Sequence, residues 1–364
     1  MTTHSALQRA EAAIRSLFIG DSLAMPVHWY YNPGDIYRQF PGGIYKFEDA
    51  PVHHPSSIMS LHSTSQGGRS FLSKKAAKQI VGDVILKGKR QYWDKKNQHY
   101  HQGMKAGENT LNAHCARALI RCISENLGQY STETFLAAYI DLLTAEKPMH
   151  PDTYAESYHR GFFANLEAGL APDKCGATTH DTASVGGLVT LGPVLITAYL
   201  NELDTAEIVS QCREHLWLTH PDEGLAKIAE DYCKLLLKLL SRQESESAKE
   251  IISACAIQSI NLNLEELTAK NYSDFEVVGG IFTSACYISG SWPSILYFAY
   301  KYGEDIEQAL IANTNVGGDN VHRGAVLGTI IGLANGRTSN AWFDQLVDQK
   351  QISAEISGLL KRQS

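Results

Sequence analysis

From residue 74 to the C-terminus, apolar residues recur at three- and four-residue spacing in one segment after another, and alternation of period two is nearly absent. That pattern leaves helix packed on helix as the architecture open to the chain. Helices are expected at residues 74–88, 107–126, 132–145, 151–169, 182–200, 204–217, 222–242, 247–261, 276–288, 291–301, 304–312, 321–335 and 340–361. A first amphipathic helix covers residues 5–19, with Leu7, Ala10, Ile14, Leu17 and Phe18 on one face and Gly20 as its stop. Residues 29–73 collect Pro, Gly, Asn and His without a sustained period and read as a long ordered loop. The expected fold is all-α, a compact multi-helix bundle with a central cleft. At 364 residues it fits one domain over 1–364.

Composition narrows the function classes. Hydrophobic residues make up 44% and charged residues 20%, enough for a large core and far from the composition of disordered chains. The formal net charge is -7, and the charges are scattered. No basic stripe is present to neutralise a phosphate backbone, which excludes extended nucleic acid as a partner. Seven cysteines, an odd number without a CxxC pair, argue against a disulfide framework or a structural zinc site. The N-terminal stretch carries a charge every few residues, unlike the apolar core of a signal peptide. No run approaches the roughly 18 apolar residues of a membrane span. A cytoplasmic protein is expected, with no membrane partner.

Four polar constellations sit where helices begin or break. The first is Gly20-Asp21-Ser22, followed by Pro26, Val27 and His28. Asp21 is either a cap or a site residue. The second is Gly107-Glu108-Asn109-Thr110, with Asn112 and His114 close behind, which is either a good helix start or a set of oxygen ligands for a hard cation. The third runs from His150 through Asp152, Tyr154, Glu156, Tyr158, His159 and Arg160 to Thr179-His180-Asp181-Thr182. On a helix, Asp152, Glu156 and His159 or Arg160 share a face, either as a solvated ion-pair surface or as convergent site groups. The fourth is Asn313 to Gly324, with Gly317-Gly318-Asp319-Asn320 and His322 between two apolar helices. So many polar groups between apolar helices need ligands or a hydrogen-bond network to offset their burial. Beyond it, Gly324, Gly328 and Gly332 form a smooth strip that permits close helix approach.

These residues resemble the ADP-ribosylglycohydrolase family, an all-helical, dimetal-dependent fold that removes ADP-ribose from proteins or related acceptors. Phe18-Ile19-Gly20-Asp21-Ser22-Leu23-Ala24-Met25-Pro26 is similar to its opening G-D-A-L-G-x-P motif. Leu218-Thr219-His220-Pro221-Asp222 is similar to its T-H-x-D/S segment, and Ser291 through Gly317-Gly318-Asp319, with the glycine-rich helix and Trp342 beyond, to its C-terminal block around G-G-D-T-D-T. In the family a glutamate after the opening aspartate, a T-D-D-T turn and the G-G-D-T-D-T turn carry catalysis and two magnesium ions. Here His28 stands where some members have that glutamate, Gly107-Glu108-Asn109-Thr110 is the best match to T-D-D-T, and Val321 replaces a metal carboxylate.

The resemblance implies a hydrolase acting on an N- or O-glycosidic bond of a small-molecule or ADP-ribosylated substrate, with altered metal dependence. Glu108, Asp181 and His28 are the expected catalytic residues, and His180, His220, Gly317, Gly318 and Asn320 the expected substrate contacts. Glu108, Asn109, Asp319 and His322 are the expected metal donors. Two carboxylates leave much of the charge of two Mg2+ ions uncompensated, so one ion at most is expected, with His322 shifting preference toward another divalent metal. The alternative is a non-catalytic descendant with a binding, regulatory or crystallin-like structural role. The two readings divide on whether Glu108, Asp181, Asp319 and His322 converge in one pocket.

Overall fold

The computed structural model describes residues 4–60 and 79–361. Within them the regular structure is helical, and β-pairing is limited to isolated bridges such as Ser184 with Tyr287. None of the described helices is long and apolar enough to cross a membrane.

The organising contact joins the two ends of the sequence. The first helix, His4–Ala24, packs antiparallel along Asn320–Asn335 with almost no side chain between them. A Cβ added at Gly324 would lie 2.6 Å from the Gly20 carbonyl oxygen, one at Gly328 2.2 Å from that of Ser16, and one at Gly332 2.5 Å from that of Ala12. Only hydrogen fits at those positions, so the glycine strip sets how closely the two backbones approach. Gly20 is part of the same seam, its own Cβ position lying 2.2 Å from the Gly324 oxygen. The first helix therefore continues through Gly20 to Ala24 instead of stopping there. This pairing places Asp21 and the turn after it beside Asp319, Asn320 and His322.

Several expected helices are shorter than their apolar period, each for a local reason. Of residues 74–88, 74–78 lie outside the described residues, and Ile80–Val84 is a single wide turn broken at Gly82, whose φ is +99°. The third polar constellation becomes helical only at Ser157–Glu167. Asp152 Oδ1 accepts from the backbone N–H groups of Thr153 and Tyr154 at 2.8 and 3.1 Å, an arrangement that competes with a helical turn. Residues 276–288 hold only the end of Asp274–Val277, and the next long helix starts at Ile288 and runs to Lys301. Inside the expected loop, Asn32 caps a short helix, Pro33–Gln39.

Candidate functional site

Asp319 stands at the N-terminus of Asn320–Asn335 but does not cap it with its side chain. Gly317 and Gly318, with φ of +70° and +67°, turn the chain sharply into the helix. Gly318 donates to the Tyr30 carbonyl and accepts from Trp29 N–H, both at 2.8 Å, and Asp319 N–H donates to Ser284 O at 2.9 Å. The buried Arg323 guanidinium fixes the turn from below, donating to Asn313 Oδ1 and the Gly317 carbonyl, each at 2.7 Å. Asn320 Nδ2 holds the carbonyls of Val27 and Thr314. Gly317, Gly318 and the Asn320 amide nitrogen thus fasten neighbouring backbone, while Asn320 Oδ1 is buried with no hydrogen-bond partner.

The loop after the first helix is pinned as firmly. His99 Nε2 lies 3.1 Å from Pro26 O, and His54 Nε2 lies 2.9 Å from His28 O. Between these anchors the His28 ring is fully buried and stacked on Trp29 at 3.7 Å. Trp29 holds a φ of +59°, a conformation a bulky residue adopts only where its surroundings enforce it.

From His28 a continuous row of titratable groups crosses the interior. Asp152 Oδ1 lies 2.8 Å from His101 Nδ1, and His101 Nε2 lies 2.7 Å from His28 Nδ1. His28 Nε2 lies 3.0 Å from Asp319 Oδ1, and His322 Nδ1 lies 2.9 Å from the same oxygen. His322 Nε2 is 3.4 Å from Glu156 Oε1, while Glu156 Oε2 is buried with no hydrogen-bond partner. Beyond it, Asn112 Nδ2 donates to the Tyr158 hydroxyl at 2.8 Å, and Tyr158 packs on His220 at 4.0 Å between ring centres.

The electrostatics divide these groups. Burial pulls the His28 imidazole down to about 3, against the pull of Asp319. Burial also pulls on His322, but Asp319, Glu156 and Asp21 outweigh it and lift the ring to about 9. For Asp319 burial acts upward, yet His322 and His28 hold the carboxyl well below the usual carboxylate range. Glu156 moves the other way: burial first, then Asp152 and Asp319, push it up to about 7 against His322. Two carboxyl groups flanking one imidazole therefore differ in state near neutrality, as acid and base roles require.

Asp181 forms the outer edge of the site. Its Oδ2 accepts from Ser157 N–H at 3.2 Å and Ser157 Oγ at 2.8 Å, and its Oδ1 lies 3.1 Å from the exposed His180 Nε2. Burial pushes the Cys286 thiol up, and Asp181, whose Oδ1 lies 3.8 Å from Cys286 Sγ, and Asp319 add to it. Tyr31 and Tyr287, each about half exposed, lie in the field of Asp181 and Cys286.

Of the expected site residues, His28, Asp319 and His322 come together, Asp181 is held by Ser157 and His180 beside Cys286, and His220 lies behind Tyr158. Glu108 stays apart: its Oε2 accepts from Lys105 N–H at 2.7 Å and faces outward. The turn is held by Asp21 instead, whose Oδ1 accepts from Asn109 Nδ2 at 2.8 Å and Thr110 N–H at 2.9 Å, and whose Oδ2 accepts from Thr110 Oγ1 at 2.6 Å. Sequence reasoning passed over His101, although the run Gln98-His99-Tyr100-His101 carried a compositional signal.

A pair of magnesium ions does not fit these residues. The Asp21 oxygens are taken up by three donors, and the Asn109 amide nitrogen is spent on Phe18 O and Asp21 Oδ1, which leaves Asp21 no free oxygen for an ion. Val321 is fully buried in a small apolar cluster with Ala24, Met25 and Met104.

The sequence profile of the family described as ADP-ribosylglycohydrolase matches residues 2–363. A solved structure described as an ADP-ribosylglycohydrolase-related protein complex is similar in fold, with a TM-score of 0.61 at 17% identity over 99% of each chain. Among curated proteins no relative matches.

Proposed function

The chain belongs to the ADP-ribosylglycohydrolase family, and on that premise we propose that it hydrolyses a glycosidic bond at the ribose of an ADP-ribose- or nucleoside-like substrate without the magnesium pair. One observation carries this reading: Glu156 and Asp319 flank His322, with His28 on the same Asp319 oxygen, and Asp181 and Asp319 both act on the Cys286 thiol next to the half-exposed Tyr287. A purely structural protein gains nothing from burying so many ionisable groups together.

Glycoside cleavage needs a proton for the leaving group and a negative group to activate water or steady the oxocarbenium-like centre. Glu156, protonated up to about pH 7, supplies the proton. Asp181, 12% exposed in its side chain and oriented by Ser157, supplies the negative group. Asp319 holds His28 and His322 in place and keeps the interior of the site negative. Tyr31 and Tyr287, each about half exposed, offer ring faces for a base.

The test offers ADP-ribosylated arginine and serine peptides and free nucleosides, and follows released ADP-ribose or ribose by chromatography. Release is expected, slowed in Asp181→Asn, and millimolar ADP-ribose should raise the melting temperature of both proteins. A rise in melting temperature without any turnover would favour the non-catalytic reading. If these ligands leave it unchanged and another sugar raises it, the substrate class is wrong.

A further inference from the structure

Two imidazoles stand in line between two carboxylates, and their protons do not add up. The row Asp152–His101–His28–Asp319 contains three contacts, of 2.8, 2.7 and 3.0 Å. Each contact needs one hydrogen between its heavy atoms, and two neutral imidazoles carry two. With both carboxylates ionised the row is short by one positive charge.

A metal ion on His28 Nε2 closes the count. His28 then keeps its hydrogen on Nδ1 and donates to His101 Nε2, while His101 keeps its own on Nδ1 and donates to Asp152. This gives the ligand imidazole a chain of outer partners ending in a carboxylate, the arrangement that fixes the tautomer of metal-bound histidines.

The remaining donors converge on the same point. His28 Nε2 and His322 Nδ1 lie 3.0 and 2.9 Å from Asp319 Oδ1, and all three donor atoms fall within 4.8 Å of one another. Four-coordinate zinc with bonds of about 2.0–2.1 Å sets its ligands about 3.3 Å apart, close to the two nitrogen–oxygen separations. A metal on His322 Nδ1 leaves a hydrogen on Nε2, which faces Glu156 Oε1 at 3.4 Å. The Asn112 amide nitrogen is 2.6 Å from the same nitrogen, and a half-turn of the amide puts its oxygen there, with the Tyr158 hydroxyl then donating to that oxygen and the amide nitrogen to His159 Nε2. Each ligand histidine thus has an acceptor behind it.

We infer that His28, Asp319 and His322 form the seat of one transition-metal ion, with open coordination positions. Two imidazoles and a carboxylate suit zinc, cobalt, manganese or iron and disfavour magnesium, which prefers an all-oxygen shell. The seat goes beyond the hydrolase reading, since it stands on the donor atoms and not on turnover. An extra proton in the row, with His322 as an imidazolium paired to Asp319, is the metal-free alternative, and the metal titration separates the two.

The test treats the full chain with a chelator, removes the chelator and titrates Co2+. The expected result is uptake of one ion per chain with the intense visible bands of low-coordinate cobalt, reversed by Zn2+ and untouched by millimolar Mg2+. His28→Gln and His322→Gln should lose the bands while keeping the helical circular dichroism. His101→Gln, a positioning variant, should keep the bands and weaken affinity about 10- to 100-fold. Absence of stoichiometric uptake, or uptake unchanged in His28→Gln and His322→Gln, overturns the seat. Cleavage by a chain that takes up no Co2+ would overturn the seat and leave the hydrolase reading standing. Metal uptake with no cleavage of any offered substrate supports the seat and counts against the hydrolase reading alone.

Discussion

Val321→Asp is expected to cost about 3–5 kcal/mol of folding stability, the scale of an uncompensated buried charge. The substitution restores the residue type that the family's last metal turn carries at this position, so a latent magnesium site would be completed by it. The surroundings point the other way. Val321 is fully buried against Ala24, Met25 and Met104, which offer a carboxylate neither a donor nor a counter-charge. Against a total stability of about 5–15 kcal/mol for a typical domain, the loss is large enough to read from a urea titration. Millimolar Mg2+ should not return the midpoint to that of the unmodified chain. A variant that matches the original stability in Mg2+ and binds two ions would show that the family's dimetal chemistry survives here.

The same comparison shows which parts of the site were legible in the sequence. The helices whose apolar period ran unbroken, such as Glu223–Ser241 and Ala248–Ile260, lie within a residue or so of their expected bounds, because burial of one face is what that period encodes. The glycine strip also told its role, since a row of missing side chains at four-residue spacing has one use in a buried helix. What the sequence did not give was the direction of single polar side chains. Glu108 and Asn109 are adjacent in a turn, yet Asn109 turns inward to Phe18 O and Asp21 while Glu108 turns outward to Lys105 N–H. Which one faces the interior depends on Asp21, some 90 positions away in the chain and next to it in space. Glu156 was hidden for a related reason. On a continuous helix from residue 151 it shares a face with Asp152, but Asp152 binds its own backbone and the helix starts at Ser157. Asp152 and Glu156 then approach the histidines from opposite ends of one row, an arrangement that only the tertiary fold creates.

Asp319→Asn separates the two roles that a helix-terminal aspartate can play. If Asp319 were a cap, asparagine would serve nearly as well, but the Asp319 side chain makes no cap bond and spends its oxygens on His28 and His322. An amide at this position keeps the shape and replaces one acceptor oxygen by an N–H donor. In the metal-free chain that donor meets an imidazole N–H, so one contact turns repulsive and the other loses its charge, and with the seat filled the ion loses its carboxylate. Two charge-assisted contacts at about 1.5 kcal/mol each come to about 3 kcal/mol, or roughly a hundredfold in rate if both act in the transition state. The expected outcome is therefore a fall of about a hundredfold in kcat/KM for the true substrate, with near-native circular dichroism. The variant should also lose the cobalt bands expected of the His28–Asp319–His322 seat, a readout that does not depend on knowing the substrate. Should Asp319→Asn turn over substrate and bind Co2+ like the unmodified chain, Asp319 would be a structural anchor alone, and the reacting groups would have to be sought around Asp181.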